Sequence, residues 1–356
     1  MLNFEAITYL SNKRIMQNKK LNVGLIGFGL SGRYLIAPFL MVNPHFNLKT
    51  VVQQSASTAS ELYPSVKSEK NLDALLADTD IDLIIVSSPN PTHFDYARRS
   101  LLAGKHVLIE KPMAATAAEA QILMDFAEKK GKVLSVYQNR RFDGDFQTVQ
   151  KVIKSGMLGD VLNYEARFDR WAPNANPKKW KEVVSPSTGV LYDLGAHILD
   201  QALVLFGVPK SYSGQVMTQR ENTVIDDAFD VRLDYGKMQV SLKASLLVRE
   251  PTPRYRINGT HGSFVKYGID PQEDMLKAGM TPDMKGFGED SPAFYGHLNT
   301  DYKGLHIQGT VETMAGNFGL LFQNLYDAIV EGKELSVKPE LIVEQIKIME
   351  AVKKGR

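Results

Sequence analysis

The chain of 356 residues contains no cysteine. Disulfides, thiol catalysis and thiolate-bound zinc are thereby excluded. Long apolar runs are missing too, since none approaches the ~18 residues that a bilayer-spanning helix needs. Neither sign of charge is in marked excess. A net charge of +2 gives no electrostatic reason to expect nucleic acid or an anionic membrane as partner. Residues 1–20 are polar and mixed and lack the apolar stretch of a signal peptide, so the expected location is the cytoplasm. Met16, just ahead of Gln17-Asn18-Lys19-Lys20, is an alternative start. What is present is ordinary for a globular chain. With 44% hydrophobic and 23% charged residues, it can fill two cores at about 150 residues each.

Strand-like and helix-like runs alternate through residues 21–142. Strands are expected at 21–26, 48–52, 81–86, 107–109 and 133–136. Helices are expected at 33–42 (distorted by Pro38), 72–77, 94–103 and 117–130, with Gly104 and Gly131 as stops. Apolar strands alternating with helices imply a parallel sheet covered on both faces. The turn Gly27-Phe28-Gly29-Leu30-Ser31-Gly32 ends the first strand and opens a helix. In that context the first glycine permits the turn, the second lets backbone approach a pyrophosphate, and the third allows close helix–sheet packing. The segment after the second strand, Gln53-Gln54-Ser55-Ala56-Ser57, has no carboxylate for a ribose 2′-hydroxyl and no arginine. NADP is therefore expected over NAD, with Ser55 a donor to the phosphate, against the alternative of a solvated loop. Ser88, Pro89, Asn90 and His93 follow the third strand at the ligand edge of the sheet, although His93 would equally suit a plain helix start.

Two further features carry chemistry. Glu110-Lys111-Pro112 ends the fourth strand, beside the expected nicotinamide, and an ammonium there can stabilise negative charge on a reacting oxygen. Asp193 and His197 stand four residues apart, which on an α-helix puts both on one face, shared by Asp200. Histidine suits proton transfer near neutral pH. The plainer alternative is a helix-start aspartate with a buried, satisfied histidine. A metal set of Asp193, His197 and Asp200 is not needed for hydride transfer, and no metal is expected.

Taken in order, these motifs resemble the glucose–fructose oxidoreductase and inositol dehydrogenase family (Gfo/Idh/MocA). The likeness runs through essentially the whole chain after residue 20. Phe168-Asp169-Arg170-Trp171-Ala172-Pro173, Leu191 to His197, Leu205-Phe206-Gly207 and Val265 to Glu273 resemble its NADP-dependent scyllo-inositol dehydrogenase branch. The resemblance implies a Rossmann domain at 21–140 behind an N-terminal extension at 1–20. It implies an α/β domain at 141–356 with a large, open, mostly antiparallel sheet for substrate binding and oligomerisation. It implies reversible oxidation of a ring hydroxyl in a sugar or inositol, with Lys111, Asp193 and His197 catalytic and the assembly a homodimer or homotetramer. Glu110 and Lys111 join the glycine turn in the expected cofactor site.

Beyond residue 142 the pattern changes to period two. Runs at 161–168, 230–235 and 238–246 read as strands, the last two joined by Gly236-Lys237 as a type II′ hairpin. Helices are expected at 317–330 and 341–352. Tyr137, Arg140, Arg170, Trp180, Tyr192 and Asn317 are candidate substrate contacts. Lys178, Lys179 and Lys181 flank Trp180 and would suit an anionic sugar. Two other functions remain open on the sequence. One is a non-catalytic NADP or sugar sensor, expected to lose the lysine or histidine that this chain keeps. The other is a glycoside hydrolase that cycles a tightly held nicotinamide.

Overall fold

Apolar strands that need cover on both faces dictate the first half of this computed structural model, which describes residues 19–54, 58–221 and 223–355, without the side chains of Lys179 and Trp180. The described residues form two sheets. The first contains β1 (Leu21–Ile26), β2 (Phe46–Val52), β3 (Lys67–Glu69), β4 (Leu83–Val86), β5 (His106–Glu110) and β6 (Leu134–Tyr137). All are parallel, in the order β3-β2-β1-β4-β5-β6, so the chain reverses direction between β1 and β4. That reversal opens the crevice in which doubly wound sheets bind ligands. Leu83 to Val86 is wholly buried, as a central parallel strand requires.

Around this sheet lie α1 (Ala37–Val42), α2 (Thr58–Leu62), α3 (Leu72–Ala77), α4 (His93–Leu102) and α5 (Ala117–Lys130). The helix expected over 33–42 is split. Ser31–Ile36 winds as a π-helical turn, and α1 starts at Ala37 with Pro38 in its first turn, where proline's missing N–H is tolerated.

The second sheet follows α6 (Gly144–Lys154). Its strands are β7 (Val161–Arg167), β8 (Ser211–Met217), β9 (Ala228–Asp234), β10 (Gln239–Ser245), β11 (Tyr255–Gly259), β12 (Gly262–Lys266), β13 (Gly296–Tyr302) and β14 (Leu305–Val311). Their order is β14-β13-β12-β11-β7-β10-β9-β8, antiparallel except where β7 meets β10. The expected hairpin joins β9 to β10, with Tyr235 N–H donating to Met238 O at 3.0 Å and Gly236 at φ 93°. A second π-helical turn, Leu191–Gly195, leads directly into α7 (Ala196–Phe206). The remaining helices are α8 (Gln272–Lys277), α9 (Gly319–Glu331) and α10 (Pro339–Lys353). Among the described residues no helix is long and apolar enough to cross a membrane.

Candidate active site

The glycine turn meets the test for a dinucleotide cradle. Gly27 sits at φ 95°, a backbone state that favours glycine. A Cβ on Gly32 would lie 2.3 Å from Gly27 O, so close packing of turn and helix requires glycine there. At Gly29 no atom lies within 4 Å of where a Cβ would stand, which leaves backbone open to a ligand. These three environments match the three tasks of the fingerprint, and the residues present fit a nicotinamide dinucleotide.

The turn is fastened to the lysine strand. The Ser31 hydroxyl donates to Glu110 Oε1, and Glu110 Oε2 accepts the Lys111 N–H at 2.9 Å. Burial pushes the Glu110 carboxyl above its ordinary value, partly offset by Ser31 and Lys111. Next to it, Lys111 Nζ donates to Asp193 O at 2.6 Å and to Asp193 Oδ1 at 2.9 Å. The other carboxylate oxygen, Oδ2, accepts from Lys181 Nζ at 2.8 Å. Burial alone would raise Asp193, but the two lysines outweigh it and hold the carboxyl well below the usual range.

His197 is buried, and its Nδ1 has no hydrogen-bond partner. Burial, then the charges of Lys111 and Arg140, hold its pKa well below the ordinary imidazole value, with Asp193 opposing. A neutral base therefore stands near an ammonium. Asp193 lies in the π-helical turn and His197 in the α-helix after it; the carboxylate is bonded to the two lysines, and no hydrogen bond joins it to His197 Nδ1. Asp200 leaves the group altogether, since Arg141 grips both its oxygens at 2.7 and 2.6 Å.

The remaining candidates divide. Arg140, Arg170 and Arg254 stand over the Phe168 ring at 5.0, 5.1 and 4.2 Å, and that ring lies 6.4 Å from His197. Arg140 is already paired with Asp143 at 3.3 Å and Glu273 at 2.7 Å, so it shapes the site more than it offers free charge. Four candidates are engaged by protein partners. His93 is buried with Nδ1 2.8 Å from Pro112 O and Nε2 2.8 Å from Ser88 O, so neither ring nitrogen is left for a cofactor. The Tyr192 hydroxyl points to Ala115 O at 3.4 Å, under Lys353. The Tyr137 hydroxyl donates to Leu35 O. Asn317 Oδ1 accepts the Gly319 N–H at 2.9 Å at the start of α9.

Ser88 and Asn90 remain in the β4 loop, bonded to Thr92 at 2.6 Å and to Ser187 O at 3.1 Å. Ser55 and the Trp180 side chain lie outside the described residues. Reasoning from sequence missed Lys181 as a partner of Asp193, and Phe168 and Arg254 as neighbours of the site.

Comparison with known proteins matches both halves of the chain. Residues 21–138 match the oxidoreductase family's NAD-binding Rossmann fold, and residues 150–355 match its C-terminal alpha/beta domain. The chain is similar to scyllo-inositol 2-dehydrogenase (NADP(+)) IolW of Bacillus subtilis, 39% identical over 97% of this chain and 96% of the relative. It is similar to D-glucoside 3-dehydrogenase of Escherichia coli, 31% identical over 55% of this chain and 57% of that one. Among solved structures it is similar to the oxidoreductase yvaA of Bacillus subtilis, with a TM-score of 0.91 at 38% identity, covering 94% and 95% of the two chains.

Proposed function

The chain belongs to the Gfo/Idh/MocA family of oxidoreductases, and on that premise we propose that it oxidises a ring CH–OH of a polyol or sugar, with scyllo-inositol as first substrate and NADP as cofactor. One observation carries this reading. A neutral, buried imidazole and a lysine ammonium stand together beside a glycine turn that fits a dinucleotide. Residues Gly27 to Gly32 and Ser88 to Asn90 would hold the dinucleotide, with Glu110 keeping Ser31 in place.

The bound nicotinamide supplies the acceptor of the hydride that leaves the substrate carbon. His197 takes the hydroxyl proton as the carbonyl forms, which balances the reaction. Lys111 donates to the same oxygen and stabilises its developing negative charge. Asp193 orients Lys111 through two hydrogen bonds, and Lys181 neutralises its second oxygen. In the reverse direction His197 returns the proton. Arg170 and Phe168 would line the polyol pocket. The same proposal includes a division near residue 140 into cofactor and substrate domains, a homo-oligomer and a cytoplasmic location.

The test is growth of the reduced-nicotinamide absorbance when the protein meets NADP or NAD with a panel of inositols, aldoses and glucosides. Reduction of NADP by scyllo-inositol, well above that of NAD, is the expected result. No reduction of either dinucleotide by any member of the panel would overturn the reading.

A further inference from the structure

Arg33 has a buried Nε with no hydrogen-bond partner, and among the described residues no carboxylate pairs with its guanidinium. The contact it makes is with the Tyr34 ring, 5.1 Å from the guanidinium carbon. A buried N–H donor without a partner is costly, and native proteins keep few such groups without a reason.

Its surroundings supply the reason. Arg33 directly follows Gly32, inside the π-helical turn. Its charge reaches the Tyr63 hydroxyl, where it opposes the upward push of burial. Tyr63 in turn packs edge-on against Phe28 of the glycine turn, at 6.5 Å between centroids, and closes α2. Arg33 thus directly follows the glycine turn, whose Phe28 also contacts Tyr63 from the chain after β2. Gln53 stands where NAD-specific sheets place a carboxylate, and its side chain is engaged by Thr58 at 3.1 Å and Ser68 at 3.3 Å. This is the region where doubly wound folds receive the 2′ position of the adenine ribose.

We propose that Arg33 receives the 2′-phosphate of NADP and is the residue that discriminates NADP from NAD. The inference rests on the reading of a nicotinamide dinucleotide as cofactor. A guanidinium offers a phosphate two parallel charge-assisted hydrogen bonds, and the Tyr34 ring keeps its plane oriented beforehand. With NAD the cation would face only hydroxyls and stay uncompensated.

The test uses two fragments without nicotinamide, adenosine 2′,5′-bisphosphate and adenosine 5′-monophosphate, titrated calorimetrically into the full-length protein. Turnover plays no part, so failure of the polyol reading leaves this measurement intact. The natural protein is expected to bind the bisphosphate at least about tenfold more tightly than the monophosphate, the scale of one hydrogen bond to a charged group. Arg33→Gln should remove that advantage and leave monophosphate binding within about twofold. Arg33→Lys should keep part of it, and it carries the test alone if Arg33→Gln does not fold. Equal binding of both fragments by the natural protein, an undiminished advantage in Arg33→Gln, or equal weakening of both fragments would each overturn the assignment.

Discussion

An imidazole buried beside cations gives up its proton more readily than one in water, and His197 is held in that state first by burial and then by Lys111 and Arg140. A base with a depressed pKa stays competent as the medium is acidified. The acid limb of the pH–kcat profile for polyol oxidation is therefore expected below pH ~6.5, the ordinary histidine value. An acid limb centred at or above that value would contradict the assignment. His197→Ala is expected to lower kcat by about 10²–10⁴-fold and Lys111→Ala by about 10²–10³-fold, with the dissociation constant for NADP changed little. Stopped-flow turnover and equilibrium titration of the same variants separate the two effects. At this scale the sequence revealed residue type and strand position, which is why Lys111 could be placed at the end of β5. It did not reveal partners. Asp193 pairs with Lys181 because the short turn Lys179–Glu182 folds over the site, and nothing in local spacing encodes that. His93 and Asn317 bond protein groups because side chains near a ligand edge are also suited to buttress that edge.

Within single elements the sequence was most explicit where ends carry their own chemistry. The helix α5 has the bounds expected for it, because Thr116 and Glu119 form a capping box and Gly131 closes it at φ 58°. The hairpin between β9 and β10 was legible for the same reason. The π-helical turns were not, since one extra residue per turn leaves the apolar pattern nearly unchanged. Neither was β3, a polar strand of three residues at the sheet edge. The start of β5 yields a prediction. His106 Nδ1 accepts the Val133 N–H at 3.0 Å, so that nitrogen must be unprotonated in the native state. Burial, aided by Lys132, lowers its pKa to about 4. A native pKa below the unfolded value of about 6.5 gives stability that is present above that value and drains away as pH falls toward 4. Urea titrations of the natural protein and His106→Gln should therefore converge between pH 6.5 and 4. A stability difference between them that is constant across this window would rule the account out.

Across the whole molecule, the class of each half followed from its periodicity, two-sided apolar strands first and alternating strands later. The order of the second sheet did not follow, because β7 pairs with β10 and β11 rather than with a sequence neighbour, and no short-range pattern specifies such pairings. The long-range tie is α10. Glu350 Oε2 accepts the Ala117 N–H of α5 at 3.2 Å, and Gln345 Oε1 accepts from Gln138, just after β6, at 3.1 Å. Gln345 also donates to Ala196 O at the start of α7, one residue from His197. Val352 packs beneath β8, where a Cβ on Gly214 would meet it at 3.1 Å. One helix thus holds the cofactor sheet, the helix of the proposed base and the edge of the second sheet. If that tie makes the two halves one cooperative unit, a cavity in α10 must weaken both together. Ile346 is fully buried, and Ile346→Ala should cost about 2–5 kcal/mol. Tryptophan emission reports the second half alone, because Trp171 and Trp180 both follow residue 142, whereas far-ultraviolet circular dichroism reports all elements. The two signals are expected to move to lower urea by the same amount and to stay superimposed in Ile346→Ala. A dichroism curve that splits into two steps while the emission shifts would assign α10 to one sheet alone and leave the other to fold by itself.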